Sequence, residues 1–165
     1  VYPSKKYLKS YQEAFEEYNK HNVVTYAFDD ISKVDVVKKY YNYRKGINLK
    51  PNRVAQTTYW LVDGDTFIGQ IAIRHELNDA LLKYGGHIGY GIRCSCWGKG
   101  YGIKMLNLAL KKAKHMGLNK VLITCDNDNY ASAKVIENNN GILENIVDNI
   151  IGGKPIQTRR YWIEL

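Results

Sequence analysis

Apolar side chains recur at three- and four-residue steps in two N-terminal segments, which is the spacing of amphipathic helices. The first segment is residues 4–21 (SKKYLKSYQEAFEEYNKH), which begins with Ser4, a residue type that caps helices. Its apolar positions are Tyr7, Tyr11, Ala14, Phe15 and Tyr18. The second segment is residues 31–46 (ISKVDVVKKYYNYRKG), which ends at Gly46, a common helix stop. Its predicted apolar side consists of Val34, Val37, Tyr40 and Tyr41.

Three strands are predicted next. Residues 57–62 (TTYWLV) and 66–75 (TFIGQIAIRH) are rich in β-forming residues, and Asp63-Gly64-Asp65 between them is typical of a hairpin turn. Residues 87–93 (HIGYGIR) form the third strand, in which small residues at positions 89 and 91 indicate a close approach on one face.

The C-terminal half alternates helices and strands. A helix is predicted over residues 103–117, with Gly117 as its stop and a buried stripe of Ile103, Leu106, Leu110 and Ala113. Residues 120–126 (KVLITCD) form a continuous apolar strand of the buried kind. Residues 129–141 form a helix with Asp128 or Asn129 as N-cap and Asn140-Gly141 as its end. Strands over 141–149 and 158–165 complete a layered α/β (mixed α+β) architecture, not a doubly wound repeat.

The composition is that of one globular domain. The chain has 165 residues, of which 45% are hydrophobic and 24% charged, and no apolar run approaches the roughly 20 residues that span a bilayer. The start VYPSKKYLKS lacks the apolar centre of a signal peptide, so we expect a cytoplasmic protein with no membrane partner. Three cysteines argue against a disulfide scaffold and agree with a reducing compartment.

The net charge of +8 implies attraction to anions without choosing among them. A pI near 9.3 is compatible with nucleic-acid binding. The lysines are nevertheless dispersed, no basic run reaches five residues, and no signature of an RNA- or DNA-binding fold is present. Nucleic acid is therefore disfavoured as the partner.

Three glycines stand at alternate positions in WGKGYG, between a predicted strand and a predicted helix. Each glycine costs roughly 0.5–1 kcal/mol to order relative to alanine, so the backbone itself is expected to have a role there. The N–H groups at a helix start lack partners and face the positive end of the dipole, which suits a phosphate. Positive charge nearby is expected from Arg93, Lys99 and Lys104. The alternative is a tight turn without a ligand.

Of two common phosphate-binding loops, one does not match this stretch and the other matches it only weakly. A Walker loop requires Gly-Lys-Ser/Thr, whereas Lys99 is followed by Gly100 and Tyr101. A dinucleotide fingerprint requires a further glycine, where this chain has Ile103. It also requires a first strand near the N-terminus, where this sequence predicts helices.

The stretch GKGYGIKML resembles the acyl-CoA-binding motif of the GNAT superfamily of N-acetyltransferases, Arg/Gln-x-x-Gly-x-Gly/Ala. Gly100 and Gly102 match its two small positions, whereas Trp97 stands at the Arg/Gln position. Residues 129–143 (NYASAKVIENNNGIL) resemble the family's helix after its fifth strand, with Asn129 and Ser132 in register. The order of elements also agrees, over nearly the whole chain.

This resemblance implies the acyl-CoA N-acyltransferase fold as a single domain over 1–165. The fold has a mostly antiparallel, twisted sheet of six to seven strands with a splayed parallel pair, and about four helices. The pyrophosphate of acetyl-CoA would be held by backbone amides of Gly98, Lys99, Gly100, Tyr101, Gly102 and Ile103. The pantetheine arm would pair with the backbone of Ile92 and Arg93. Asn129 would hydrogen-bond a pantetheine amide, or serve only as a helix cap, and Ser132 lies one turn further on.

The chemistry implied is direct attack of an amine on the thioester, which needs a base and often an acid. The family's tyrosine acid falls on Ile136 here, which leaves Tyr130 and Tyr161 as substitutes. His75 and Glu76 are the candidate bases, and strand alternation directs only one of them into a cleft.

Cys94-x-Cys96 could in principle bind a metal or supply a nucleophile. A single pair with distant Cys125 and His115 is a poor metal pattern, so we expect ordinary thiols and no metal.

From the family resemblance we predict transfer of acetyl from acetyl-CoA to a primary amine of a small molecule or peptide. Two alternatives stay open: a relative that binds CoA without catalysis, and a basic module that binds RNA or nucleotides. Homodimerisation is also left open.

Overall fold

A single mixed sheet with helices on both faces is formed by the predicted elements. The computed structural model describes residues 1–23 and 27–165. The helices are α1 (Leu8–Lys20), α2 (Val36–Lys45), α3 (Tyr101–His115) and α4 (Tyr130–Glu137). The strands are β1 (Gln56–Asp63), β2 (Thr66–Arg74), β3 (Ile88–Ile92), β4 (Lys120–Asp126), β5 (Ile142–Ile151) and β6 (Lys154–Glu164). In the described ranges, no helix has both the length and the apolar character needed to cross a membrane.

The six strands lie in the order β1-β2-β3-β4-β6-β5, and each neighbouring pair is antiparallel except β3 with β4. Strand alternation gives the sheet two apolar faces. One face packs on α3 and α4 around Leu106, Ile123 and Ile136, and the other packs on α1 and α2 around Tyr11 and Trp60. The predicted fold, with six strands, one parallel pair and four helices, is confirmed.

The N-terminal helices differ in detail from their prediction. The side chain of Ser4 makes no capping hydrogen bond, because a 3-10 turn at Lys5–Tyr7 separates it from α1. The second helix begins at Val36, and the carboxylate of Asp35 caps it by accepting from the Lys38 N–H at 3.0 Å. Tyr41, on the predicted apolar side, is 50% exposed, because the buried face of α2 runs through Val36 and Tyr40 and the next residue points away from it.

In α3 the buried positions are Met105, Leu106, Ala109 and Ala113. Ile103 and Leu110, predicted for this stripe, are only partly buried, so the stripe is rotated slightly about the helix axis. The predicted stops are confirmed: Gly117 follows α3 with φ +90°, and Asn140 follows α4 with φ +64°.

The last two strands are longer than predicted. They form one hairpin closed by Gly152 and Gly153, both with positive φ, a turn signal that the sequence reading did not use. The segment before β3, for which no element was predicted, contains a π-helical turn at Leu81–Gly85. The first hairpin turns at Gly64–Asp65, as predicted.

The parallel strands β3 and β4 meet over a very short length. Within these two strands, which are described throughout, Ile88 opposite Ile123 is the one aligned pair. Next to it, the His87 N–H donates to the Leu122 carbonyl at 2.7 Å, and the Leu122 N–H donates to Nδ1 of His87 at 2.9 Å. An imidazole thus replaces a ladder carbonyl as the acceptor at this point. Beyond Ile88 the strands diverge.

Small residues in β3 allow close contacts on the face that packs on α1 and α2. A Cβ at Gly91 would lie 2.6 Å from the Cβ of Ala27, so the segment after α1 packs directly on the strand. At Gly89 the neighbour is the guanidinium of Arg74, 3.6 Å from a Cβ placed there. The predicted close approach is therefore confirmed at Gly91, whereas the contact at Gly89 is of ordinary van der Waals length.

We predict that His87→Ala lowers the free energy of unfolding by about 1–3 kcal/mol, because the buried Leu122 N–H loses its acceptor. The matched variant His115→Ala, at an exposed position of α3, should change it by about 0.5 kcal/mol or less. Urea unfolding measures both, and equal effects of the two substitutions would contradict the structural role of the imidazole.

The stability of the wild-type protein and that of the His87→Ala variant should also depend differently on pH. Burial, and then the charge of Arg74, lowers the pKa of His87 below its ordinary 6.5, so the folded protein disfavours protonation of this ring. The neutral ring's contribution to stability is complete above about pH 6.5, the unfolded value, and is lost as pH falls through the lower folded pKa. We expect the stability gap between the wild-type protein and the His87→Ala variant to narrow over that fall.

Candidate functional site

The divergence of β3 and β4 opens a cavity of about 210 Å³. Its walls come from the two strands and from the start of α4. They consist of Ile88, Gly89, Tyr90, Thr124, Cys125, Asp126, Asn129 and Ser132. Tyr90 and Cys125 belong to the face that packs on α3, whereas Gly89 and Thr124 alternate to the opposite face. The cavity wall therefore includes residues from both faces of the sheet.

The glycine stretch forms the turn between β3 and α3. Gly98 and Gly100 have φ values of +71° and +78°, a conformation that L side chains rarely adopt, and Gly100 is the N-cap of α3. The first backbone hydrogen bond at this end of α3 runs from the Lys104 N–H to the Gly100 carbonyl. Among the described residues, no backbone carbonyl accepts from the N–H groups of residues 98–103.

Gly102 differs from the other two glycines. Its φ is not positive, and a Cβ there would lie 3.0 Å from Cγ2 of Val135 in α4. It therefore permits the close packing of α3 on α4, while Gly98 and Gly100 shape the turn. The turn combines free N–H groups with the positive end of a 15-residue helix, which is an environment suited to an anion.

The charges around the turn are arranged differently from the prediction. The ammonium group of Lys99 donates to the Ser95 carbonyl at 2.8 Å, so it folds back on the loop. The guanidinium of Arg93 is paired with α1, through Nε to Glu17 at 2.7 Å and Nη2 to Glu13 at 3.3 Å. Lys104, on the first turn of α3, is exposed.

The backbone groups of Ile92 and Arg93, at the end of β3, point in different directions and have different partners. The Arg93 N–H donates to the Ile68 carbonyl of β2 at 2.8 Å, and its carbonyl accepts from Cys96 N–H at 2.9 Å. Alternation then directs the backbone groups of Ile92 and Tyr90 away from β2, towards the cavity side. The expectation that Arg93 offers a free backbone is therefore not met, because strand pairing and the following 3-10 turn use both of its groups.

Trp97, which stands at the Arg/Gln position of the family motif, has a role of its own. Its indole Nε1 donates to the Ile92 carbonyl at 2.7 Å, and the Tyr18 hydroxyl donates to the same oxygen at 2.7 Å. The indole lies edge-to-face against the Tyr18 ring, with centroids 5.8 Å apart. Trp97 thus ties the glycine turn to the end of β3 and to α1.

Asn129 and Ser132 lie together at the start of α4. The Asn129 side-chain oxygen caps the helix by accepting from the Ser132 N–H at 3.0 Å. The Ser132 hydroxyl is 2.8 Å from the hydroxyl of Tyr90. Both residues line the cavity, as expected for residues beside a pantetheine arm, and Asn129 also has the capping function.

The three predicted catalytic residues lie apart from this cavity. His75 follows β2, with its N–H bonded to the Ala55 carbonyl and its Nε2 atom 2.9 Å from the Thr57 hydroxyl. Burial lowers its pKa. Glu76 is exposed, and Tyr130 is 69% exposed with the Arg159 guanidinium 5.4 Å from its ring centre. Their catalytic roles stay predictions.

The other two positions considered for the catalytic acid, Ile136 and Tyr161, are both packed in the core. Ile136, at the family's tyrosine position, is completely buried in the core between the sheet and α3. Tyr161, the other proposed substitute, is buried in the same core and donates to Glu137 at 2.9 Å. Neither lines the cavity.

Sequence reasoning missed three titratable groups in the cavity wall, namely Tyr90, Cys125 and Asp126. Burial raises the pKa of the Cys125 thiol to about 11 and raises that of the Tyr90 phenol. Burial, and then the charge of Asp128, raises the pKa of the Asp126 carboxyl. The available signal was the position of Asp126 at the carboxyl end of a buried strand, beside the predicted helix cap.

The remaining cysteines show no special arrangement. Cys94 is buried beside α1, Cys96 is partly buried, and all three cysteines of the chain are free. Burial raises the pKa of Cys94, which disfavours the nucleophilic thiolate. Over residues 1–23 and 27–165, no three His, Cys, Asp or Glu side chains are grouped as metal ligands would be.

The parallel strands diverge beside a cavity, and the turn that follows β3 has unbonded N–H groups at a helix start. A family model described as an acetyltransferase (GNAT) domain matches residues 8–141. The chain belongs to this acetyltransferase family, whose enzymes use acetyl-CoA. The expected class of enzyme and its cosubstrate are thereby confirmed.

Solved structures of similar fold agree. The microcin self-immunity acetyltransferase MccE, in complex with acetyl-CoA and AMP, has a TM-score of 0.76 and 17% identity, over 100% of this chain and 91% of that one. RimL, a ribosomal-protein alpha-N-acetyltransferase, has a TM-score of 0.71 and 15% identity, over 99% and 92%. Spermidine N-acetyltransferase SpeG from Vibrio cholerae has a TM-score of 0.64 and 17% identity, over 94% and 90%. A search of curated proteins found no significant match.

The packing role of Gly102 is tested by a double-mutant cycle. We expect Gly102→Val to destabilise the protein by about 1–3 kcal/mol, since the new side chain would overlap Val135. In the Val135→Ala background the same change should cost about 0.5–3 kcal/mol less, because space has been made. Chemical denaturation of the four proteins measures the coupling. Additive effects of the two substitutions would show that the destabilisation by Gly102→Val does not come from overlap with Val135.

Proposed function

We propose that this protein transfers the acetyl group of acetyl-CoA to the primary amine of a small molecule or peptide. The observation that carries the proposal is the glycine turn with its unbonded N–H groups, which follows β3, the strand that diverges from β4 and forms one wall of the cavity. The turn presents unbonded N–H groups to a diphosphate, and the diverging strand presents unpaired backbone groups to an amide-containing arm.

Acetyl-CoA, the acetyl donor, would lie along β3, with its diphosphate beyond the C-terminal end of the strand and its thioester near the N-terminal end. Its diphosphate would contact the N–H groups of residues 98–103. Its pantetheine arm would pair with the Ile92 N–H and with the backbone of Tyr90, since the Ile92 carbonyl already accepts from Tyr18 and Trp97. Asn129 and Ser132, at the start of α4, would border the arm on the other side. The thioester would then lie towards Gly89 and Ile88, where the strands converge.

The reaction is a direct attack of the neutral amine on the thioester carbonyl. The bond from nitrogen to the acetyl carbon forms, the carbon–sulfur bond breaks, and a proton leaves the nitrogen while the thiolate of CoA takes one up. Asp126 is our candidate for the base, directly or through a water molecule, because it is the carboxylate in the cavity wall and its pKa is raised.

The acceptor is an amine whose identity differs among proteins of this fold. The similar structures include an enzyme named for spermidine and one named for a ribosomal protein, so both small-molecule and protein amines are used within the fold. For this chain we propose a small-molecule or peptide amine, a cytoplasmic location and one domain over 1–165. The alternative of a basic RNA- or nucleotide-binding module gains no support from the fold or the family.

One observation favours the second candidate, a relative that binds CoA without catalysis. The family's acid position is occupied by Ile136, whose side chain is completely buried and supplies no proton. Binding of acetyl-CoA without turnover of any amine would select this candidate over the enzyme.

The role of the glycine turn is tested with Gly100→Asn. Asparagine tolerates the left-handed conformation and caps helices, so the turn should persist while its new side chain obstructs the bound anion. We expect the affinity for acetyl-CoA in calorimetry to fall by about ten- to a hundredfold, the value of one or two charge-assisted hydrogen bonds.

Gly117→Asn is the matched control, since Gly117 has φ +90° and open space at the other end of the same helix. It should leave the affinity unchanged. The wild-type melting temperature should also rise with acetyl-CoA, because a ligand of the folded state stabilises it. Equal affinity in the two variants, or no binding by the wild type, would refute the proposed donor site.

The base is tested with Asp126→Asn. We expect kcat/KM for the best amine of a panel to fall by about 10²- to 10⁴-fold, the usual value of a general base, with unchanged affinity for acetyl-CoA. In the wild type, activity should be lost as pH falls through the raised pKa of Asp126, because the protonated carboxyl accepts no proton.

Asp128→Asn, outside the cavity wall, should have a small effect on kcat/KM at high pH, and it should move the loss of activity to lower pH, because the charge of Asp128 contributes to the raised pKa of Asp126. His75→Ala is the informative comparison. A larger loss with His75→Ala than with Asp126→Asn would return the role of base to the residue that the sequence indicated.

A further inference from the structure

Beside the cavity lies an arginine with no acidic partner. Arg74 is the last residue of β2, and its Nη1 atom donates to the carbonyls of Gly85 at 2.8 Å and Gly86 at 2.9 Å. These acceptors are neutral. Over residues 1–23 and 27–165, no carboxylate lies within 4.0 Å of this guanidinium. The charge is therefore held in place without being neutralised.

The guanidinium lies at the point where β3 and β4 converge. A Cβ at Gly89 would be 3.6 Å from Nη2 and 3.8 Å from Nη1, and Gly89 is part of the cavity wall. Gly89 alternates to the face that packs on α1 and α2, the face opposite α3. Arg74 is thus next to the proposed position of the thioester, on the side of the sheet away from the glycine turn's helix.

The surroundings of Arg74 are electropositive. Burial, and then the charge of Arg53, lowers its pKa, and the neighbouring His87 is held neutral because its Nδ1 atom accepts from Leu122. Two other arginines of the sheet are neutralised by contrast: Arg160 pairs with Glu144 at 2.6 Å, and Arg93 pairs with Glu17. A partly buried charge without a counter-ion is costly, and an anionic ligand would relieve that cost.

We propose that the acceptor carries a carboxylate or phosphate group close to its amine, and that Arg74 binds this group. Nη1 is occupied by the two carbonyls, which leaves the Nε and Nη2 side of the guanidinium for a two-point contact with an oxyanion. The contact would direct the amine towards the thioester. The inference rests on the proposed acetyl transfer and assigns its acceptor class: amino acids or aminoalkyl phosphates rather than polyamines.

The test uses acceptors that differ in one charged group. Glycine is compared with glycinamide, and O-phosphoethanolamine with ethanolamine, while spermidine represents the polycations. Thiol release from acetyl-CoA gives kcat/KM for each. We expect the wild type to prefer an anionic member of at least one pair, and the two pairs distinguish carboxylate from phosphate.

The decisive measurement is the change of this preference in Arg74→Gln. The ratio of anionic to neutral acceptor should fall by about ten- to a hundredfold, the value of a charge-assisted contact. The acceptors in a pair differ in amine basicity, but this difference is the same for both proteins and cancels when their two ratios are compared. Arg74→Lys should keep part of the preference, and the affinity for acetyl-CoA should be unchanged in both variants. Arg53→Gln, which removes a nearby exposed charge, should keep the full ratio.

Several results would overturn the inference while leaving acetyl transfer intact. These are a preference for neutral or cationic amines, or an Arg74→Gln variant that loses all acceptors equally, as a purely structural clamp on Gly85 and Gly86 would. If no acceptor is turned over, the melting temperature in the presence of CoA with added inorganic phosphate or acetate decides. A rise in the wild type absent from Arg74→Gln supports the anion site, and equal behaviour refutes it. Failure to bind acetyl-CoA would instead refute the proposed function.

Discussion

The short contact between β3 and β4 is the constraint on which the site depends. Two parallel strands that stayed paired would bond their backbone groups to each other and leave no space between them. Here the alignment is limited to Ile88 and Ile123, and the imidazole of His87 takes the place of a carbonyl beside it. The cavity, the backbone of Tyr90 that faces away from β2 and the access to both faces of the sheet all follow from that early divergence.

The glycines around this opening serve different physical purposes, although they look alike in the sequence. Gly98 and Gly100 adopt positive φ and leave the N–H groups of the turn exposed. Gly102 admits Val135 of α4, and Gly91 admits Ala27 from the segment after α1. Conformation, helix packing and loop packing are therefore combined within a few residues, and together they hold the turn, α4 and β3 around one space.

Electrostatics near the site is governed by pairing rather than by the net charge of +8. Arg93 and Arg160 are neutralised by carboxylates, so they support the walls of the protein instead of attracting ligands. The proposed anion site at the glycine turn depends on backbone dipoles, and Arg74, beside Gly89 in the cavity wall, has a side-chain charge without a salt bridge. A negative group at each of these two places, with the reacting bond between them, is the arrangement to which these charges are complementary.

The sequence by itself determined the elements, the mixed sheet and the glycine turn, because hydrophobic periodicity and turn chemistry are local properties. It also indicated Asn129 and Ser132, since a helix start carries its own capping signal. Only the tertiary structure decided which side chains meet. It paired Arg93 with Glu17, left His75 outside the cavity wall, and placed Asp126 in that wall and Arg74 beside Gly89. These outcomes depend on strand register and on the angle between two strands distant in sequence, which no local pattern specifies.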